Sequence, residues 1–317
     1  MIFNTIRERE YHNMGGLFAL LASLGYSSFN ILNRRGMMNN NPGNVWDIRL
    51  VGSFSTLSVF CLGLAILAFF DINIIQEFKY LTVQAVLLLL LSGILGAFVG
   101  ALFITIAISQ IGASQTSVLY GGSNPLFAVL LSIILLNEIP DLIGMLSVLA
   151  IITGIVIVGY HGHEGTVVLL EKTKLAGGII ALSAGLCFAL AHMARGIALN
   201  LGATPNTAFI IPQTMSLLII TVFFYKQSRK LKDLKRISRK SLYCYIGGGV
   251  GIIVGAYSTL IAFTMIPVWQ AVAILSIQPL LVLILSWLFL KQVDKISYRL
   301  IIGACLVALG VVSLNVY

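Results

Sequence analysis

The stretch SGILGAFVGALFITIAISQIGASQTSVLYGGSNPLF, residues Ser92 to Phe127, decides how the chain folds. It consists of two apolar runs joined by a tight polar corner, and it recurs in degenerate form from Gly247 to Leu281. Ser92, Gly96 and Gly100 lie four apart; Gly247, Gly251 and Gly255 repeat that spacing 155 residues later. Both ladders contain G-x-x-V-G-A, at Gly96–Ala101 and at Gly251–Ala256. Ala107 then matches Ala262, Ile111 matches Ile266 and Gln115 matches Gln270. After a slip of one residue, Asn124-Pro125 matches Gln278-Pro279. Small residues at this spacing form a stripe that lets a neighbouring backbone come close, the usual device of helix packing in lipid. Pro125 and Pro279 each deprive one carbonyl of its helical partner, which is tolerated only where protein or a wet cavity takes it up. The expectation is a pair of broken helices, one per half, as in transporter cores.

Composition sets the class. Hydrophobic residues make up 58% of the 317 and charged ones 10%, against roughly 25% charged in a soluble domain, and the mean hydropathy is +0.99. Ten apolar runs approach the ~20 residues that cross the hydrocarbon core. They fall at about 14–33, 48–70, 84–108, 113–136, 142–160, 176–199, 207–225, 243–264, 268–290 and 299–316. No cleavable signal peptide is evident. Cys61, Cys187, Cys244 and Cys305 stand singly in apolar runs and read as small hydrophobes rather than a disulfide framework or metal site. Eight of the twenty Lys and Arg cluster between Lys226 and Lys240, so the net charge of +9 reads as a cytoplasmic loop in contact with lipid headgroups, not as a nucleic-acid surface.

The halves match throughout. Gly15-Gly16-x-x-Ala19-Leu20-x-Ala22 opens the first span and Gly177-Gly178-x-x-Ala181-Leu182-x-Ala184 the sixth, and Pro42 matches Pro205. Each half, residues 1–160 and 161–317, is then a five-helix unit. Five is odd, so the second unit enters the membrane from the opposite side and the two form an inverted repeat. With the termini extracytoplasmic, sixteen Lys and Arg fall inside, Arg49 among them, and four (Arg7, Arg9, Lys79, Arg195) outside. The fold class is an all-α polytopic membrane protein of ten transmembrane helices in two inverted five-helix repeats.

Ten spans in two halves, the G-x-x-V-G-A element, the prolines of spans four and nine and the Leu-Leu-Asn-Glu138 ending of span four resemble the drug/metabolite transporter superfamily, in its EamA-type branch. The resemblance covers residues 14 to 316. It implies alternating access and a small metabolite as substrate, in a bacterial cytoplasmic membrane. The chain departs from the pattern at Gln292, where the acidic counterpart of Glu138 is missing.

All eleven acidic residues lie in loops or at span ends. A proton or sodium site usually needs a carboxylate within the membrane, so uniport or exchange is expected, or coupling through a histidine. Acid–base or metal catalysis would need such groups gathered at one depth; no enzyme activity, cofactor or metal is expected. His161-Gly-His163-Glu164 reads as a solvated loop. The ionisable side chains placed deep in a span are His192 and Arg195, one turn apart. Arg195 is either functional or snorkels to the surface. The other cavity-lining candidates are Tyr26 and Asn30 on span one, Gln115, Tyr120 and Asn124 on span four, Tyr257 on span eight, and Trp269, Gln270 and Gln278 on span nine. Gly96, Gly100, Pro125, Gly251, Gly255 and Pro279 are the packing and helix-breaking positions.

The reading is an alternating-access carrier of a small polar metabolite such as an amino acid. A nucleotide-sugar or phosphosugar exchanger ranks below it, because several cations would be needed to hold phosphate and Arg195 alone is in view. A membrane-embedded lipid enzyme ranks lower still. The partners are a small molecule and the bilayer, with no nucleic acid; the oligomeric state stays open and is compatible with a monomer. The charge count makes a topological prediction: a cysteine at Ser228 resists membrane-impermeant thiol reagents in intact cells and reacts after lysis. Labelling before lysis would reverse the orientation.

Overall fold

The computed structural model describes residues 2–39, 43–69, 74–136, 142–160, 168–226, 231–266, 268–275, 277–290 and 298–314. Among them every regular element is helical. In the first half these are α1 (Ile2–Met37), α2 (Val45–Phe69), the short α3 (Ile74–Lys79), α4 (Val83–Ser92), α5 (Ala101–Ile111), α6 (Ala113–Leu136) and α7 (Leu142–Tyr160). The second half has α8 (Val168–Asn200), α9 (Pro205–Lys226), α10 (Arg239–Ile252), α11 (Ser258–Met265), α12 (Val268–Leu275), α13 (Gln278–Phe289) and α14 (Tyr298–Leu314). Six continuous stretches are long and apolar enough to cross a membrane: Met14–Met37, Val45–Ala65, Val83–Ile111, Lys174–Asn200, Pro205–Lys226 and Arg239–Met265. Shorter apolar helices accompany them, among them Gln278–Phe289 and Tyr298–Gly310.

The distribution of side chains is that of a protein dissolved in lipid. Leu17, Val83, Ile179, Leu218 and Leu309 are exposed, while Ser27, Asn30, Arg49, Thr116, His192 and Arg195 are buried. In water this arrangement would leave apolar surface uncovered and bury polar groups at a cost; in a bilayer both terms reverse in sign of benefit.

The glycine ladders adopt a winding that the sequence spacing did not indicate. Gly93–Gly100 and Ile253–Tyr257 are π-helical, inserted between α4 and α5 and between α10 and α11. The helices that carry them begin alike: the Thr82 hydroxyl accepts from the Ala85 amide, and 156 residues later the Ser238 hydroxyl accepts from the Ser241 amide. These caps satisfy amides that a helix start otherwise leaves bare.

The ladders also explain how the two halves meet. α1 packs along α10, the second π-helical turn and α11, and α8 packs in the same way along α4, the first π-helical turn and α5. Each half therefore lays its first long helix into the other half. The equivalences persist at atomic detail: a Cβ at Gly15 would lie 2.6 Å from Ile266, and one at Gly177 would lie 2.8 Å from Ile111. A Cβ at Gly251 would meet the Gly25 carbonyl at 2.9 Å, and one at Gly96 would meet the Ala191 methyl at 2.7 Å. Glycine is required at these crossings because the partner is backbone or a short side chain that cannot swing away.

One expectation needs correcting. The proline helices are not a matched pair of broken helices: α6 runs continuously through Pro125, whereas the second half divides into α12 and α13, with Pro279 in the first turn of α13. Proline fits there because first-turn amides have no helical partner to lose. α1 packs against this break. The Ser23 hydroxyl, which donates along its own helix to the Ala19 carbonyl at 3.2 Å, also lies 3.3 and 3.4 Å from the Ile274 and Leu275 carbonyl oxygens. The Ser27 hydroxyl, which donates to the Ser23 carbonyl at 2.7 Å, also lies 3.4 Å from that of Gln278.

Gly255→Leu and Gly100→Leu should both lower folded yield sharply, since a Cβ would lie 2.8 Å from the Tyr26 ring and 2.8 Å from the Phe188 ring and overpacking of this kind costs about 1–3 kcal/mol or more. Gly52→Ala, where nothing lies within 4 Å, should leave yield unchanged. Size-exclusion profiles of the three variants check this; normal profiles for both leucine variants would remove the close-packing account.

Candidate functional site

The π-helical turn in the first half releases a backbone carbonyl. In a regular helix the Ala101 amide would bond to Ala97; here it reaches the Gly96 and Phe98 carbonyls instead. The Ala97 oxygen accepts from Arg49 Nη2 at 2.7 Å and from the Ser216 hydroxyl at 2.7 Å. α2 and α9 are thus tied to one atom of the π-helical turn. Five residues earlier, the Ser92 hydroxyl accepts from Arg195 Nε at 2.8 Å. α8 can bring Arg195 to this point because Gly96 and Gly100 leave room for Ala191 and Phe188.

Arg49 and Arg195 both line one cavity that opens to the outside. α1 contributes Tyr26, Phe29 and Asn30; α6 contributes Tyr120; α8 contributes Phe188 as well as Arg195; Gln213 comes from α9 and Gln278 from the first residue of α13. Ala97, Ala101, Ile104, Ile252 and Ala256 complete the wall. A second, smaller cavity shares Tyr26, Tyr120 and Gln278 and adds Gly121, Asn124, His192, Val272 and Leu275. Gly121 precedes Pro125 by one turn, so the carbonyl that the proline cannot bond belongs to a cavity residue.

Several polar atoms here have no partner within the described protein. Both side-chain atoms of the Asn30 amide, Arg49 Nε, Asn124 Oδ1 and His192 Nδ1 are buried and unbonded. Leaving such a group dry and unpaired costs about 1–3 kcal/mol. Four residues of this kind line the two neighbouring cavities, where water or a solute could meet their hydrogen-bonding needs. His192 stands edge-on to Phe263 at 5.8 Å, and Tyr120 meets Phe188 at 5.3 Å. Among the described residues no group of three or more His, Cys, Asp or Glu could hold a metal ion.

Tyr26, Asn30, Tyr120, Asn124, His192, Arg195 and Gln278, all candidates from the sequence, line one or both of these cavities. Gln115 and Tyr257 line neither. Tyr257 donates to Asn206 Oδ1 at 2.8 Å, within a cluster where Asn206 Nδ2 donates to Glu77 Oε1 at 3.1 Å and the Thr204 hydroxyl donates to Glu77 Oε2. The side chains of Trp269 and Gln270, together with Glu138, Gln292 and the 161–164 segment, lie outside the described residues. Sequence reasoning missed Arg49 and Gln213. It placed Arg49 with the basic loop residues, as the second residue of an apolar run, whereas the structure buries it to 2% exposure against Ala97. Gln213 follows Pro212 in the middle of α9 and was legible as an isolated amide in an apolar run.

The model of the EamA-like transporter family matches residues 13–160 and again 175–316. The chain belongs to the EamA-like transporter family. It is thus an integral membrane protein of the drug/metabolite transporter superfamily, matched by the family model in two repeats. A solved structure described as "Crystal structure of protein" aligns over 95% of this chain and 96% of that one, with a TM-score of 0.65 and 12% identity. That likeness is one of fold. No curated protein matches the chain.

The Arg195 geometry generates a test. A lysine cannot reproduce the guanidinium fork, so Arg195→Lys should weaken solute binding on the order of tenfold and Arg195→Gln by more, with folding retained. Calorimetric titration of a solute found by ligand screening would show it. Equal affinity in wild type and both variants would remove Arg195 from the binding site.

Proposed function

We propose that this protein is an alternating-access secondary transporter of a small polar metabolite, acting as exporter, uniporter or exchanger in a bacterial cytoplasmic membrane. The observation that carries the reading is the cavity between the halves, lined from both and holding buried polar atoms without partners. On this reading the ten apolar runs are ten spans, residues 1–160 and 161–317 are the inverted repeats, the 226–240 loop is cytoplasmic and the termini are outside. Alternating access is rocking of one repeat against the other about such a site.

The interlocked helices supply the moving parts. α1 and α8 each lie in the opposite half, so a tilt of one repeat shifts both walls of the cavity together. Polar ties at the two ends of the bundle would break in turn. The Glu77, Thr204, Asn206 and Tyr257 cluster ties α3 to α9 and to the second π-helical turn. Toward the opposite end of α1, Arg34 Nη1 donates to the Ile108 carbonyl at 3.1 Å and the Ser241 hydroxyl to that of Gly36 at 2.9 Å. Among the described residues no carboxylate lines the cavity, which fits exchange or uniport better than proton or sodium coupling.

Ligand screening by thermal stability followed by counterflow in proteoliposomes tests the reading. A solute at 100 times its Kd adds ~2.7 kcal/mol to stability and should then exchange with its labelled form across the vesicle wall. Stabilising solutes that never exchange would overturn it. Glu77→Ala removes the acceptor shared by Thr204 and Asn206. It should change the exchange rate on the order of fivefold, from about 1 kcal/mol of lost hydrogen bonding, with solute affinity unchanged.

A further inference from the structure

We propose that the cavity binds a small organic anion with two negative charges, a phosphate monoester or a dicarboxylate, clamped between Arg49 and Arg195. The inference rests on the transporter reading and narrows its substrate. Three observations lead to it.

The first is the placement of the charges. Arg49 Nη2 bonds to the carbonyl of Ala97, and Arg195 Nη2 lies 3.7 Å from where a Cβ of the neighbouring Gly96 would stand. Both cations therefore sit on one turn of one cavity wall. They are 2% and 4% exposed.

The second is the lack of neutralisation. The protein partners of these guanidinium groups are a carbonyl and hydroxyl, both neutral. Among the described residues no Asp or Glu lines either cavity, and Arg49 Nε is buried without a partner there. Each is a charge withdrawn from water without the counter-ion that makes a buried charge tolerable. A solute carrying the complementary charge removes both penalties at once. Arginine suits the task, since its planar fork engages carboxylate or phosphate oxygens with two parallel hydrogen bonds.

The third is the break between α12 and α13. Gln278, the first residue of the twelve-residue α13, lines both cavities. Its side-chain amide can donate to an anion from the same wall. Opposite these groups, Tyr26, Phe29, Tyr120 and Phe188 give an aromatic wall for a carbon skeleton.

An α-amino acid fits this field poorly. Its carboxylate would be held, but its ammonium would face two guanidinium groups with no carboxylate among the described cavity residues to receive it. The amino-acid expectation from the sequence, which saw one arginine, gives way to a dianion.

Calorimetry on the full-length protein in lipid nanodiscs tests this with phenyl phosphate, succinate and phenylalanine as probes. At least one dianion should bind and phenylalanine should not; which dianion binds more tightly separates phosphate from dicarboxylate recognition. Arg49→Gln should weaken that binding on the order of tenfold to a hundredfold, and Arg49→Lys, which keeps charge and bulk, should weaken it less. For phenyl phosphate, affinity of the wild type should also rise between about pH 5 and pH 7.5 as the second phosphate proton leaves, a readout independent of any variant's folding. Binding of phenylalanine with neither dianion, no binding by either dianion, or dianion binding indifferent to Arg49→Lys and Arg49→Gln overturns the inference. The transporter reading stands or falls separately, on whether a bound solute exchanges in counterflow.

Discussion

One carbonyl oxygen, that of Ala97, organises the centre of this protein. A regular helix would keep it for the amide of Ala101. The π-helical winding of Gly93–Gly100 passes it over, and Arg49 and Ser216 take it up from two other helices. A membrane interior has no water to satisfy a displaced carbonyl, so the winding persists only where donors are supplied. A buried guanidinium, in turn, persists only where acceptors are supplied. Each defect answers the other, and the result is a cation fixed in the wall of a cavity.

The same turn makes the close approach of the two halves possible. A π-helical turn widens the helix, which would push a neighbour away unless its surface residues are small. Gly93, Gly96 and Gly100 provide that surface to α9 and α8, and Gly251 and Gly255 provide it to α1. The crossing helices are then near enough for Arg195 to reach Ser92 and for the α1 serines to reach the carbonyls at the break before α13. Small residues, irregular backbone and buried polar groups are thus parts of one arrangement. Removing the first would strand the other two.

How much of this could be read beforehand follows from which physics is local. The helical class and the repeat are written in composition and in pairs such as Ile111 and Ile266, which the structure places against Gly177 and Gly15. Polar residues isolated in apolar runs, Asn30, Tyr120 and Arg195 among them, announced themselves because lipid leaves them few alternatives. The winding of the ladders did not, since G-x-x-V-G-A is compatible with α- and π-helix alike and the choice is made by the neighbours. Arg49 was hidden for a related reason: two residues after Asp47 and near a helix start, it has the pattern of a side chain that snorkels. Its burial is a property of α9 and the π-helical turn, not of its own segment. Tyr257 shows the converse, a well-placed phenol that tertiary packing directs to Asn206 instead of the cavity.

The account stands most directly on where the solute's charge comes to rest. A crystal structure with a bromine-labelled phenyl phosphate or a dibromosuccinate, with anomalous density for the label, would locate it. The expected map has the anionic group between the guanidinium groups of Arg49 and Arg195, the label against Tyr26, Tyr120 or Phe188, and the Ala97 carbonyl still bonded to Arg49. Density for the ligand outside this cavity, or a regular α-helical turn at Gly93–Gly100 with Arg49 turned away from it, would contradict the account.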